Sequence, residues 1–320
     1  MSAMIPALVL TAGLGTRLRP LSYVRAKGAL PLAGEPLARR ILRRLQEAGV
    51  RDAVLNLHHL PHTLTGAIGD GSDIGIRVRY SWEMPILGSA GGPRRALPLL
   101  RADGGEQSFL IVNGDTLTDV NIAALVDDHR SSGALVTMAV IPNTEPEKYS
   151  GVAADADGRF TGFVARGSSE RSFHFVGVQV AEPRAFASIP PDTPYEVRTL
   201  YPALREAQAG AIRLFRTYAE FLDIGTPADY LSTALAVAER DRAREVGGVR
   251  SQIAPDARIE RSVLWDDVVI GPGALLKECV VADGVVVPSD TSWHGVTLRV
   301  PAGDLAPGER VIEGLAVCPL

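Results

Sequence analysis

Two glycines, an arginine and a lysine are the first residues able to do chemistry. In Leu10-Thr11-Ala12-Gly13-Leu14-Gly15-Thr16-Arg17 the glycines let the backbone approach an anion, successive N–H groups form a cradle, and Arg17 and the later Lys27 supply positive charge. Such a cradle suits a polyphosphate. It is not a Walker loop, which ends in Gly-Lys-Ser/Thr, nor a dinucleotide fingerprint, which needs a third glycine where Leu18 stands. Two carboxylates follow apolar runs: Asp115 after Phe109-Leu110-Ile111-Val112-Asn113-Gly114, and Asp223 after Phe221-Leu222. Ligand crevices of α/β sheets lie at strand ends, and Mg²⁺ on phosphates takes one or two protein carboxylates, so Asp115 and Asp223 fit a metal pair. Read singly, each aspartate also fits a turn or helix N-cap, and the glycine pair a structural turn.

The elements that must carry these residues alternate. Strands are expected at Ala7–Thr11, Ala53–His58, Ile76–Tyr80, Phe109–Asn113 and Leu135–Ile141. Between them, Leu37, Ile41, Leu45 and Ala48 repeat at helical spacing, with Pro36 at the first turn and Gly49 at the end. Further helices are expected at Ser89–Leu100, after the N-cap Asn121 to Ser132, at Tyr195–Ala209 and at Pro227–Arg242. Extended pieces with an Asp157-Gly158 turn between Gly151 and Val180 add a mixed portion to the sheet. After a charged connector at Glu239–Arg250 the grammar changes: Leu264, Ile270 and Leu276 recur every six residues, the period of about three β-helix coils.

Composition narrows the function classes. With 46% hydrophobic and 22% charged residues the chain is globular, and Lys+Arg 33 against Asp+Glu 37 leaves a net charge of −4. No global basic field exists for nucleic acid or an anionic membrane, so phosphate affinity must be local. No apolar run approaches the roughly 20 residues of a membrane span, and no basic-then-apolar leader occurs, so a cytoplasmic location is expected. Cys279 and Cys318 read as small buried thiols, His58-His59-Leu60-Pro61-His62 as a polar loop, and Arg39, Arg40, Arg43 and Arg44 as a solvated helix face.

Taken together, Ala12-Gly13-Leu14-Gly15-Thr16-Arg17-Leu18-Arg19-Pro20-Leu21-Ser22, Lys27, Leu30 to Pro36, Leu87-Gly88-Ser89-Ala90-Gly91, Asn113-Gly114-Asp115 and Asp223 to Leu231 resemble the sugar-1-phosphate nucleotidyltransferase (NDP-sugar pyrophosphorylase) family. Among its members the look is nearest to mannose-1-phosphate guanylyltransferases. The resemblance implies a Rossmann-like mixed sheet flanked by helices in residues 1–245, the nucleotidyltransferase fold. It also implies a short left-handed β-helix in residues 246–320, through which a homo-oligomer would assemble. Its implied partners are a nucleoside triphosphate and a sugar-1-phosphate, most simply GTP and mannose-1-phosphate, with Mg²⁺ as cofactor and neither nucleic acid nor membrane.

Carried onto matching positions, the resemblance assigns catalysis to Arg17, Lys27, Asp115 and Asp223, the aspartates holding the metal. Leu10, Ala12, Gly13, Gly15, Thr16 and Glu83 would bind the nucleotide, with Gly88 leaving space for the base. Gly151, Arg166 and Gly177 would line the sugar-phosphate side. Ala26 departs from the usual proline before the lysine, and Ala165-Arg166-Gly167 stands where the family places Glu-Lys-Pro. These departures keep two alternatives in view: a UTP-dependent uridylyltransferase acting on another sugar-1-phosphate, and a non-catalytic homologue that binds a nucleotide sugar and regulates a partner.

Overall fold

Ala7–Leu10 is a run of apolar residues buried on both faces, the pattern of a central parallel strand. In the computed structural model, which describes residues 5–101, 107–242 and 248–320, this strand pairs in parallel with Asp52–Leu57 on one side and Phe109–Asn113 on the other. Arg77–Trp82 extends the parallel portion at the edge. Beyond Phe109–Asn113 the sheet turns antiparallel through Phe173–Ala181, which is flanked by Gly151–Ala154 and Val136–Pro142. Phe160–Val164 closes one branch, and Ile212–Arg216 runs parallel to Val136–Pro142 on the other. The result is a nine-stranded mixed sheet.

The chain forms two compact units. The first contains the stretch up to Gly13, Ile41–His59 and Ile68–Leu222, and the second Leu14–Arg40, Leu60–Ala67 and Asp223–Leu320. The boundary expected between residues 245 and 246 lies outside the described residues, as does part of the Glu239–Arg250 connector. In the first unit, Leu8, Val54, Leu97, Phe109, Ile111, Met138, Phe186 and Tyr201 form a continuous core. The helix Gly88–Leu100 presents Ala90, Ala96, Leu97 and Leu100 to it. The helix Ile122–Ser132 begins where Asn121 Oδ1 accepts the Ala124 N–H at 3.0 Å. Helices also occupy Val197–Ala207 in this unit and Pro227–Arg240 in the second. No helix among the described residues is long and apolar enough to cross a membrane.

Pro36 does not open a helix. Ala33 and Gly34, both at positive φ, turn the chain so that Pro31–Leu32 pairs with Glu35–Pro36 as a small hairpin, and the helix starts at Leu37. That helix stops at Glu47, and Gly49, at φ 93°, makes the left-handed exit while Val50 N–H donates to Leu45 C=O at 2.9 Å.

In the second unit the C-terminal residues form three stacked coils of a parallel β-helix. Three inward columns fill it: Ile270 and Val287; Ile259, Leu276 and Trp293; Leu264, Val281 and Leu298; Ile253, which pairs with Ile270, stays exposed. Six-residue spacing therefore runs round a coil, while vertical neighbours lie 17 apart. The last coil strand, Val296–Arg299, is covered by an antiparallel pair, Leu315–Pro319 and Arg310–Ile312. Beside the coils, the helix Pro227–Arg240 carries a capping box between Thr226 and Asp229. Tyr230 on that helix accepts a hydrogen bond from Trp265 Nε1 at 2.9 Å and donates to Pro31 C=O at 2.5 Å. Burial pushes its phenol well above the usual range, so it remains a protonated donor.

Candidate active site

In the first unit the carboxyl ends of the parallel strands are stitched together by buried polar groups. Asn56 Oδ1 accepts the N–H groups of Thr11 (2.6 Å) and Ala12 (3.2 Å), and Asn56 Nδ2 donates to Glu83 Oε1 at 2.8 Å. Glu83 Oε2 accepts the Leu87 N–H at 2.8 Å. Glu83, expected to touch a base, is fully buried, and its carboxylate holds the Leu10–Ala12 backbone through Asn56. A Cβ at Gly92 would lie 2.6 Å from Glu83 Oε1, so the helix must come in as bare backbone there. The space expected beside Gly88 is filled by the Glu196 carboxylate, which accepts the Ser89 N–H at 3.2 Å.

Asp115 sits in the turn after Phe109–Asn113. Gly114 N–H donates to Leu10 C=O at 2.9 Å, and a Cβ at Gly114 would press on that oxygen at 2.5 Å, so only glycine lets the two strand ends close up. Gly177, at φ 80°, lies where the register of Phe173–Ala181 shifts, and its missing Cβ leaves room for Thr116 Oγ1 and Asn113. Leu10, Ala12, Gly13, Asp115 and Gly177 thus gather at one end of the sheet. Gly151 begins its strand against Ser172, and Arg166 occupies an exposed turn whose Gly167 N–H donates to Pro146 C=O at 2.8 Å.

The second unit holds the signature segment. Gly15 adopts φ 60°, Leu18 N–H donates to its carbonyl at 2.9 Å and Ser22 Oγ to the same oxygen at 2.8 Å, closing a tight turn that leaves Thr16 and Arg17 exposed. Arg17 and Asp223 meet across Gly225. A Cβ there would lie 3.2 Å from Arg17 Nη1 and 3.0 Å from both Asp223 Oδ2 and Asp229 Oδ2. The Asp223 carbonyl is anchored by Thr233 Oγ1 at 3.1 Å, and Asp229 is engaged with Thr226. Lys27, half-buried, opens a short 3-10 turn after Ala26, whose N–H donates to Thr63 Oγ1 at 3.0 Å.

Among the described residues no three His, Cys, Asp or Glu side chains gather as a self-sufficient metal cage. Strand-end carboxylates in ones and twos are instead the donor set that a hard cation already carrying phosphate oxygens requires. His58 Nδ1 lies 3.0 Å from the Glu83 carbonyl. Asn56 had one signal in the sequence: a lone amide inside an otherwise apolar strand, Ala53-Val54-Leu55-Asn56-Leu57.

Set beside known proteins, residues 6–240 match the profile described as Nucleotidyl transferase. The chain belongs to this family of enzymes. A nucleotidyl transferase from Mycobacterium tuberculosis named mannose-1-phosphate guanylyltransferase is 30% identical, the match spanning 93% of this chain and 82% of that one. A Neisseria meningitidis N-acetylmuramate alpha-1-phosphate uridylyltransferase is 45% identical over a shorter stretch, 37% of this chain and 50% of the other. Among solved structures, HddC from Yersinia pseudotuberculosis superposes with a TM-score of 0.62 at 21% identity, covering 72% of this chain and 98% of that chain.

Proposed function

We propose that the protein transfers a nucleotidyl group from GTP to mannose-1-phosphate, giving GDP-mannose and pyrophosphate in the cytoplasm. The observation that carries the reaction class is the convergence of the Arg17 guanidinium and the Asp223 carboxylate on Gly225, in a family whose matched profile spans the signature segment. The guanylyltransferase match, which extends through the C-terminal coils, supports the choice of base and sugar.

The attacking phosphate oxygen is already anionic at neutral pH, so no general base is needed. The chain must instead hold two mutually repelling anions in line. Arg17 neutralises the departing pyrophosphate, and Lys27 pairs with the α-phosphoryl and sugar phosphate. The Leu10–Gly13 backbone, held by Asn56, lies against the base, with Gly15 and Thr16 on the phosphates. Gly151 and Gly177 line the sugar side, and Arg166 grips its phosphate. Asp115 and Asp223 would hold Mg²⁺, which when bound supplies positive charge to the phosphate oxygens.

A panel of GTP, UTP, ATP, CTP and dTTP against mannose-, glucose- and N-acetylmuramate-1-phosphate, read by pyrophosphate release, tests the assignment. GTP with mannose-1-phosphate is expected to exceed every other pair by at least about tenfold, with activity lost in EDTA and restored by Mg²⁺. A faster UTP reaction would support a second reading, uridylyl transfer, which the 45% identity to the uridylyltransferase favours. Tight nucleotide-sugar binding without release from any pair would establish a regulator instead.

Gly225→Ala adds a methyl group where Arg17 and Asp223 close in. It is expected to lower turnover roughly tenfold with an unchanged thermal midpoint, since small displacements of reacting groups are costly. Parent-like turnover would show that the two side chains can yield without loss.

A further inference from the structure

The residues assigned to chemistry all precede the C-terminal coils in sequence, which makes those coils look like an assembly device. The second unit says otherwise, because the signature segment is tied to them at three points. Arg25 Nε and Nη2 donate to the two oxygens of Asp283, each at 2.6 Å, and Nη2 also donates to Asp266 Oδ2 at 2.6 Å. The same guanidinium lies 5.4 Å from the centre of the buried Trp265 ring. The Tyr23 ring is flanked by Arg19 at 5.1 Å and by Arg299 of the last coil at 5.3 Å. Pro31 C=O is bound by Tyr230, itself bound by Trp265.

Asp266 and Asp283 occupy equivalent corners of successive coils, and Asp266 N–H donates to Asp283 Oδ1 at 3.1 Å. Two carboxylates stacked one coil apart repel, and the Arg25 fork is the cation that joins them. Its side chain is 16% exposed, so the attraction is only partly screened. Ala26 and Lys27 follow at once, and Ala26 N–H is fixed to Thr63.

Resting on the nucleotidyl-transfer reading, we propose that Arg25 is a positioning residue: its grip on Asp266 and Asp283 fixes the backbone that carries Lys27, so the β-helix sets the rate of the chemical step. Lysine at this position keeps the charge but loses the parallel pair of hydrogen bonds to Asp283, and therefore restores only part of the effect.

The test uses the full chain with Arg25→Ala, Asp283→Ala, their combination, and Arg25→Lys. Because misplacing a catalytic group by about 1 Å can cost a hundredfold, each alanine variant is expected to lower kcat roughly tenfold to a hundredfold. KM for both substrates should stay within about threefold, because the loss is confined to the chemical step. The double variant should be no slower than the worse single one, and Arg25→Lys should fall between parent and alanine. Amide exchange over Gly15–Leu30 should rise at least about tenfold in the alanine variants while that of Gly88–Leu100 stays at the parent rate. Parent-like kcat, or unchanged exchange over Gly15–Leu30, in Arg25→Ala and Asp283→Ala would overturn the proposal. Should Arg25→Ala fail to fold, Asp283→Ala alone decides. Should the parent release no pyrophosphate from any substrate pair, it is the transfer reading that falls, and exchange still decides whether Arg25 orders the segment.

Discussion

Replacing Asp223 by alanine is expected to lower turnover at least about a hundredfold, about 2.7 kcal/mol of barrier, with little change in unfolding. Asp223 ends a short strand, its carbonyl is anchored by Thr233, and its Oδ2 faces the same missing Cβ as Arg17 Nη1. Removing the carboxylate takes away a proposed Mg²⁺ ligand and a negative charge close to Arg17, while the partly exposed side chain buries little apolar surface. Initial rates of pyrophosphate release at saturating substrates check it, together with a thermal melt. Turnover within about threefold of the parent would remove Asp223 from the metal pair.

A second large effect is expected in stability. Arg299 is 2% exposed and its partner Glu309 fully buried; Nε and Nη2 donate to the two carboxylate oxygens, each at 2.8 Å. The remaining donors reach the carbonyls of Ala302 and Asp304, each at 2.9 Å. Arg299→Ala leaves Glu309 buried without its cation, a loss of the order of 3–5 kcal/mol. Replacing both partners by leucine should recover most of it, because no unpaired charge then remains. Urea unfolding of parent, single and double variants separates the cases. A loss below about 1 kcal/mol in Arg299→Ala would mean that the carboxylate finds other partners.

The sheet was legible because its central strands are buried on both faces and read as unbroken apolar runs, and because Asn121 is a strong N-cap with a clear helix behind it. The C-terminal coils were legible through their six-residue period, but the 17-residue return needs the third dimension, since one corner of each coil is a residue short of three sixes. Pro36 misled because a proline before a helix suits either the first turn or the end of a ribbon, and only the Ala33-Gly34 turn decides. In the candidate site, glycines, arginine, lysine and aspartates announce themselves by chemical type. Asn56 and Arg25 do not, because their roles are defined by partners far along the chain: Thr11 is 45 residues from Asn56, and Asp283 is 258 from Arg25.

That last separation bears on how the protein is made. A ribosome delivers Tyr23 and Arg25 long before Trp265, Asp266, Asp283 and Arg299, against which they rest, Asp283 following Arg25 by 258 residues. Until then the nascent segment has none of its coil partners, and contacts closed over such distances form late. Full turnover is accordingly expected only after the coil that carries Asp283 has left the ribosome, and ribosome-bound chains stalled before Asp283 should show faster amide exchange over Gly15–Leu30 than the released protein.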